Sequence, residues 1–339
     1  MVERVLDYEG GHDESTYRYS LRTGFSNIDV YSPEGITPNP LDLLGSSYQF
    51  QRRLPGGFQI VDIAEGSQGL PVINLTLQDE QRASVDMSDS QNFTLSGPFK
   101  NSDFAMRLPY VAYNIAERVR QEDLAMTSLH AASVATTDGR SILILGDKGS
   151  GKTLMSLTFG LQHDFGLIGS DLVLADHKQG QLFLRAGNQI FDVRQAVIKY
   201  YLPELDQPTQ RQSSNPYEEK VTLLPEEIGI SIGQDKNGLA TVVRVNVHPF
   251  NDKTVIEKGA RRIQEILRLR ENASRYIRGV VTPLVMDNMN FEGNFPSIDT
   301  DALVKQRDQM LEQLLDSNFL YVYGNDPKEI AKEIVNTVL

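Results

Sequence analysis

The stretch that decides the fold is Gly146-Asp147-Lys148-Gly149-Ser150-Gly151-Lys152-Thr153, which is followed by Leu154. It has the form G-x-x-x-x-G-K-[ST], which is typical of a loop whose backbone N–H groups surround phosphate oxygens. In such a loop Lys152 reaches the β- and γ-phosphates, and the Thr153 hydroxyl binds Mg²⁺. We therefore predict that the whole stretch, with Leu154, binds the phosphates of a nucleotide.

The residues on either side of this stretch strengthen that prediction. Residues 141–145 are a short apolar run typical of a strand, and residues 154–159 carry apolar side chains at helical spacing. A strand, a glycine-rich loop and a helix in this order form an anion site, because the N-terminus of the helix adds N–H groups and its dipole. The alternative is a tight glycine-rich turn with an exposed lysine. The pattern favours a site for ATP or GTP with Mg²⁺.

Composition sets limits on the kind of protein. The chain has 339 residues with 40% hydrophobic and 23% charged residues, which is ordinary for a globular protein and long enough for two domains. The net charge of −12 argues against a general nucleic-acid or anionic-membrane surface, and the lack of cysteine excludes disulfides and cysteine-based sites. We predict a soluble, cytoplasmic protein. The sequence leaves open whether it is a homo-oligomer.

Two domains are predicted along the chain. Residues 1–105 have the short alternating runs and turn clusters of a β-rich N-terminal domain. Residues 106–339 are predicted to form an α/β domain with a mixed β-sheet, which carries the phosphate-binding stretch. Within it we predict one strand over 129–135 that carries His130, one over 165–174 that carries Asp171, and a long amphipathic helix over 253–277. That helix has four arginines, for which a solvated face is the first interpretation and contact with phosphate the second: Arg261, Arg262, Arg268 and Arg270.

The block from Leu129 to Arg194 resembles the HPr kinase/phosphorylase family, whose nucleotide site is akin to that of phosphoenolpyruvate carboxykinase. Leu129-His130-Ala131 is similar to the L-H-[AG] strand of the family, and the Gly146–Thr153 stretch is similar to its phosphate loop. Ile168-Gly169-Ser170-Asp171 is similar to its acidic segment, and Phe191-Asp192-Val193-Arg194 to its acid-x-Arg signature. The resemblance implies a P-loop kinase domain like the C-terminal domain of HPr kinase, and phosphotransferase activity.

Three departures from the family pattern limit what the resemblance implies. Ser170 stands where the family has the acid that acts as general base, and serine cannot do this at neutral pH without an activating partner. Lys148 replaces a serine in the loop, and Gln195 replaces the glycine after the signature arginine. We therefore predict a divergent kinase that moves the γ-phosphoryl group to a hydroxyl of a small molecule, peptide or protein. The alternative is a nucleotide-binding regulatory protein with little or no transfer.

The roles of the single residues follow from the stretch and from the resemblance. Lys152, Asp171, His130 and Arg194 are the predicted catalytic residues, and Thr153, Asp171 and Asp192 are the predicted ligands of Mg²⁺. His130 is the substitute for the missing base, because imidazole titrates near neutral pH. The alternatives are a hydrogen-bonded core histidine at 130, a strand-end cap at Asp171, and a structural ion pair between Asp192 and Arg194.

Overall fold

The computed structural model describes residues 16–33, 52–55, 58–62, 71–77, 82–99, 107–178, 180–205, 215, 219–234, 236–278 and 292–338. Packing divides the chain into two units. The first comprises Met1–Ala125 and Ser274–Val304, and the second Met126–Ala273 and Lys305–Leu339. The predicted boundary at residue 105 lies outside the described residues, so this division of domains stays a prediction.

The strands are β1 (Thr16–Thr23), β2 (Asn27–Pro33), β3 (Phe58–Asp62), β4 (Val72–Leu77), β5 (Arg82–Met87), β6 (Asn92–Gly97), β7 (Met126–Leu129), β8 (Ala132–Ala135), β9 (Arg140–Leu145), β10 (Gly166–Gly169), β11 (Val173–Lys178), β12 (Gln181–Arg185), β13 (Phe191–Arg194), β14 (Lys220–Leu223), β15 (Lys236–Val247), β16 (Val255–Lys258), β17 (Glu292–Asn294) and β18 (Asn318–Gly324). The α-helices are α1 (Leu108–Leu124), α2 (Lys152–His163), α3 (Gln195–Tyr201), α4 (Arg262–Ser274), α5 (Asp301–Asp316) and α6 (Pro327–Val338).

The first unit is a mixed sheet with a helix packed in its core. Its strands follow the order β17-β5-β6-β4-β2-β1-β3. Alternate apolar side chains of β1 and β2 are buried, as the period of two in a strand requires. The helix α1 contributes one apolar stripe, which includes Val111, Ala112 and Ile115, to the same core. Helix α1, with Pro109 in its first turn, therefore packs in the first unit.

The second unit contains the Gly146–Thr153 segment and is built on a larger mixed sheet. Its order is β10-β8-β9-β15-β12-β11-β7, with β18 beside β15 and β16 beside β18. Helices α2 and α6 contribute to the apolar core that includes Val243, Val245 and Val322, and helices α4 and α5 contribute to a second core with Val242 and Tyr321. Strands β9, β15 and β18 run parallel, so their carboxyl ends meet at one edge of the sheet. Ligands of open α/β sheets bind at such edges.

Three predicted elements differ from the structure. His130 lies in a bend between β7 and β8, because β7 pairs with β11 whereas β8 pairs with β9. The single strand over 165–174 is two strands, β10 and β11, separated by a turn at residues 170–172. The helix over 253–277 begins only at Arg262, because residues 255–258 form β16 at the edge of the sheet and Gly259 follows with a φ of 94°.

The other elements around the segment agree with the sequence. The hairpin of β8 and β9 is closed by Gly139 with a φ of 80°, and helix α6 begins where Asp326 Oδ1 accepts the backbone N–H of Lys328 at 2.8 Å. Strands β13 and β14 form a separate antiparallel pair. No helix in the described ranges is both long and apolar enough to cross a membrane.

Candidate functional site

The Gly146–Thr153 segment connects the carboxyl end of β9 to the first turn of α2. Gly151 is the residue before the helix and has a φ of 97°, which L-residues rarely adopt. A Cβ added to Gly151 would lie 2.8 Å from Val247 Cγ2, so only glycine fits. The Ser150 carbonyl accepts the backbone N–H of Val247 at 2.9 Å, which holds the segment against the end of β15.

Lys152 and Ser150 direct polar groups into the inside of the segment. The Lys152 side chain is only 7% exposed, and its ammonium donates to the carbonyls of Gly146 at 2.9 Å and Asp147 at 3.3 Å. Ser150 Oγ is buried without a hydrogen-bond partner in the part of the chain that the structure describes. A buried hydroxyl without a partner costs free energy. The segment thus curls around a cation and an unsatisfied hydroxyl, which fits the binding of phosphate oxygens.

Asp171 and His130 come together from two turns of the sheet. His130 Nε2 lies 2.9 Å from Asp171 Oδ1, with side chains that are 25% and 56% exposed. Asp171 lies in the turn between β10 and β11, and His130 in the bend between β7 and β8. Both can reach solvent, so the pair can also reach a substrate.

Two asparagines, which the sequence analysis did not identify, fix the backbone of this pair. Asn188 Oδ1 accepts three successive backbone N–H groups, at 3.2 Å from Ser170, 2.8 Å from Asp171 and 2.8 Å from Leu172. Asn272 Oδ1 accepts the backbone N–H of His130 at 2.7 Å, and Asn272 Nδ2 donates to the His130 carbonyl at 3.0 Å. Both turns are therefore held by side chains that are distant in sequence.

The electrostatic surroundings keep Asp171 ionised. Burial alone would raise the pKa of Asp171, but the hydrogen bond from His130 and the positive charges of His130, Lys152 and Lys220 outweigh it. The pKa of Asp171 is therefore lowered from 3.8. An ionised carboxylate accepts a hydrogen bond and does not donate one, so His130 Nε2 carries the hydrogen and, in the neutral ring, Nδ1 is the acceptor. Lys152 and Asp171 are predicted catalytic residues, and their charges interact.

Ser170 has a structural role. Its side chain is buried, its hydroxyl donates to the Ile190 carbonyl, and Asn188 Nδ2 donates to Ser170 Oγ at 3.0 Å. Gly187, next to Asn188, lies so close to the turn that a Cβ there would be 2.2 Å from the Leu172 carbonyl oxygen. A serine held in this way cannot take a proton from a substrate.

Asp192 and Arg194 lie on one face of β13, and their neighbours Phe191 and Val193 are buried on the other. Asp192 Oδ1 accepts the Thr222 hydroxyl of β14 at 2.8 Å, and Arg194 is paired in register with Lys220. Lys220 in turn acts on Asp171. A metal role for Asp192 and a catalytic role for Arg194 stay predictions.

A cation-lined pocket of about 370 Å³ borders the segment at the edge where β9, β15 and β18 end. Its cationic wall comes from the segment, β15, helix α4 and the residue before α4, and includes Lys148, Arg244, Arg261 and Arg268. Arg262 and Arg270, the other two arginines of the predicted basic helix, bind acids of α5: Asp316 lies 2.6 Å from Arg262, and Asp308 lies 2.8 Å from Arg270. The solvated-face interpretation therefore applies to these two, whereas Arg261 and Arg268 face the pocket.

The donor set for a metal is small. In the described ranges, no three histidine, aspartate or glutamate side chains gather into a preformed metal site. Mg²⁺ that binds together with phosphates needs only one or two protein carboxylates and completes its shell with phosphate oxygens and waters. Asp171 fits this requirement, because its second oxygen has no hydrogen-bond partner among the described residues, and the metal role of Thr153 stays a prediction.

Comparisons with known proteins give little beyond this geometry. No protein-family model matches the chain, and no curated protein matches its sequence. Among solved structures, the chain is similar to the Hpr(Ser) kinase/phosphatase from Coxiella burnetii at 14% identity and a TM-score of 0.24. The match covers 38% of this chain and 76% of the other. A likeness at this score does not support a functional assignment, which depends instead on the residues of the site.

Proposed function

We propose that the second unit binds a nucleoside triphosphate, ATP or GTP, on the Gly146–Thr153 segment and transfers its γ-phosphoryl group to a hydroxyl. The observation that carries the proposal is the arrangement of this segment between β9 and α2, with Lys152 inside it and the Asp171–His130 pair within its electrostatic range. Phosphoryl transfer asks a protein mainly to position phosphates and to neutralise their charge. A buried ammonium and a few well-held polar groups supply both.

The roles of the residues follow from their contacts. Lys152 exchanges its two carbonyl partners for phosphate oxygens, and the N–H groups at the start of α2 face the same anion. Thr153 and the free oxygen of Asp171 would hold Mg²⁺, which supplies neutralisation of the charge on the phosphates. Asp171 Oδ1 meanwhile holds His130 in one orientation. His130 is then the residue that receives the proton.

The transfer step balances with these groups. The acceptor hydroxyl oxygen forms a bond to the γ-phosphorus, and the bond from that phosphorus to the β–γ bridging oxygen breaks. Its electron pair leaves with the nucleoside diphosphate. The hydroxyl proton moves to the unprotonated Nδ1 of His130, since Nε2 already donates to Asp171. His130 thus replaces the acid that is absent at Ser170, whose hydroxyl is buried and bonded to the backbone.

A second candidate function is a nucleotide-binding regulatory protein with little or no transfer. The observation that favours it is Ser170, a buried serine at the position where the resembled family has the acid that acts as general base. His130 decides between the two functions. A His130→Gln variant keeps a hydrogen-bonding side chain but cannot accept the proton, so in a kinase the transfer rate falls about a hundredfold.

Calorimetric titration of the full chain with Mg²⁺ and the non-hydrolysable ATP or GTP analogue tests nucleotide binding. We expect that Lys152→Ala weakens binding about tenfold to hundredfold, because charge-assisted hydrogen bonds to phosphate are lost. Lys332→Ala is the control, since Lys332 is an exposed lysine on helix α6 of the same unit. Equal affinity of Lys152→Ala and the control would refute the proposed site. Tight binding without transfer to any hydroxyl compound would favour the regulatory function.

A further inference from the structure

The pocket beside the Gly146–Thr153 segment has more cationic character than the rest of the chain predicts. The chain carries a net charge of −12, yet Lys148, Arg244, Arg261 and Arg268 converge on one pocket of about 370 Å³. Asp147 is the acid in its lining, and it lies at an exposed position. A volume of this size suits a small molecule. Cations that gather against the overall charge indicate an anionic ligand.

A buried carboxylate fixes the arginines of this pocket. Glu265 is fully buried and accepts Arg244 Nε at 2.7 Å and Arg268 Nη1 at 3.3 Å. The pKa of Tyr321 is raised, first by burial and also by its interaction with the same carboxylate. Arg244 is 12% exposed and Arg268 is 49% exposed. Glu265 therefore lies behind the pocket and orients two guanidinium groups that reach its surface.

The third arginine is fixed from another side. Arg261 lies over the Tyr321 ring at 4.8 Å, and its backbone N–H donates to the Tyr321 hydroxyl at 2.9 Å. Glu257 pairs with its guanidinium. With Glu265, Glu257 and Asp147 counted against the four cations, the group keeps a net positive charge. Preorganised guanidinium groups match the geometry of phosphate and carboxylate oxygens.

We propose that this pocket binds the phosphate or carboxylate group of the acceptor, so that the acceptor is an anionic small molecule with a hydroxyl. The proposal rests on the proposed function, because it names the substrate class of the same site. The pocket borders residues 146–150 of the segment, and Lys152 and Thr153 do not line it. An anion held there lies beside the phosphates of the nucleotide without occupying their place. Amide side chains of the lining, Asn246 and Gln264, are available for hydroxyl groups of the same molecule.

Equilibrium dialysis of the full chain with inorganic phosphate tests the pocket, with and without saturating Mg²⁺ and AMP-PNP. We expect phosphate to bind in both conditions. Arg268→Gln should weaken its affinity about tenfold or more, through the loss of a charge-assisted hydrogen bond. Arg270→Gln is the matched control on the same helix, with the same change of charge and similar exposure, because Arg270 binds Asp308 outside the pocket. Arg261→Gln gives a second, independent test from the other side of the pocket.

The outcomes separate the possible sources of the anion. Displacement by AMP-PNP of the phosphate whose binding depends on Arg268 would mean that the pocket belongs to the nucleotide, and it would overturn the proposal. Equal phosphate affinity of Arg268→Gln and Arg270→Gln, or no phosphate binding in the wild type, would also overturn it. Lys152→Ala should keep the phosphate site that depends on Arg268 and should weaken nucleotide binding, because Lys152 does not line the pocket. If Lys152→Ala instead keeps nucleotide affinity while the arginine variants lose phosphate, the proposed function fails and the anion pocket remains.

Discussion

Among the described residues, each unit has a glutamate that is fully buried and bonded to arginine, and the two differ in where the arginines lead. In the first unit, Glu117 on helix α1 accepts Arg120 Nη2 at 2.8 Å and Gln121 Nε2 at 2.7 Å, and all three side chains are buried. In the second unit, Glu265 binds Arg244 and Arg268, which extend to a pocket. We call the group of Glu117, Arg120 and Gln121 the enclosed network. We call the group of Glu265, Arg244 and Arg268 the open network, because its arginines reach a pocket.

The enclosed network serves the fold of the first unit. Arg120 Nη1 donates to the carbonyl of Thr23 at 2.8 Å, and its guanidinium lies 4.5 Å from the centre of the Tyr113 ring. It thus connects helix α1 to the turn after β1. Replacing a buried ion pair with apolar residues is often neutral, whereas removing one partner leaves an uncompensated charge. Comparison with Glu265 shows that a buried acid alone does not indicate a functional site. What matters is whether its cations reach a cavity.

The largest expected effect comes from breaking the enclosed pair. Arg120→Met leaves the Glu117 carboxylate buried without its cation, and we expect it to lower the free energy of unfolding by about 3–5 kcal/mol. The chain has no tryptophan, so denaturant unfolding is best followed by circular dichroism. The double variant Glu117→Leu with Arg120→Met should recover most of the loss, because no buried charge remains. A loss below about 1 kcal/mol in Arg120→Met would show that the pair is not enclosed.

A smaller effect is expected from the open network. Arg244→Met should cost about 1–3 kcal/mol, since Glu265 keeps Arg268 as a hydrogen-bond donor and is not left alone. The same denaturant titration measures it, with Arg270→Met as the control on the surface of α4. A cost equal to that of Arg120→Met would remove the distinction between the two networks.

Much of the fold around the segment could be predicted from local pattern. The strand and helix on either side of Gly146–Thr153, the β8–β9 hairpin and the last helix each have a short-range signal in glycine, proline or apolar spacing. Two of the three misassigned elements, those over residues 129–135 and 165–174, involve a change of pairing partner. Residues 165–174 read as one apolar run, yet β10 pairs with β8 and β11 pairs with β7 and β12. The spacing of apolar residues indicates that a segment forms a strand, but it does not indicate which other strand that segment pairs with.

In the candidate site, the sequence predicts an arrangement of residues only for the glycine-rich segment, and it predicts the other residues one by one. Asp171 and His130 were predicted separately, as a metal ligand and a substitute base, and the hydrogen bond between them was not predicted. Asn188 and Asn272 were missed because each bonds to backbone groups of a residue far away in sequence. Two features of the sequence could have indicated the pocket. Arg244 is a lone charge in the apolar alternation of residues 241–247, and Glu265 is an acid placed between the arginines of α4.

Asp171 extends the comparison to a carboxylate that is half exposed, where the smallest effect is expected. Its pKa is lowered in the folded chain, so its ionised form stabilises the fold at pH values above the unfolded pKa of 3.8, and this contribution is lost as the pH falls below it. Because its side chain is 56% exposed, solvent screens the interaction, and we expect Asp171→Asn to cost at most about 1 kcal/mol at pH 7.

Denaturant unfolding at a series of pH values, with chelator present to remove divalent ions, measures the contribution of Asp171 to the free energy of unfolding. The difference between wild type and Asp171→Asn should be present above the unfolded pKa of 3.8 and should disappear as the pH falls through and below it, because the wild-type carboxylate is then neutral like the amide. In a His130→Ala background, which removes the hydrogen-bond partner of Asp171, the Asp171→Asn substitution should cost less, and the double-mutant cycle gives the coupling of the pair. A cost of 3 kcal/mol or more, or a difference that grows towards acid, would mean that Asp171 is enclosed as Glu117 is and is not open to a substrate.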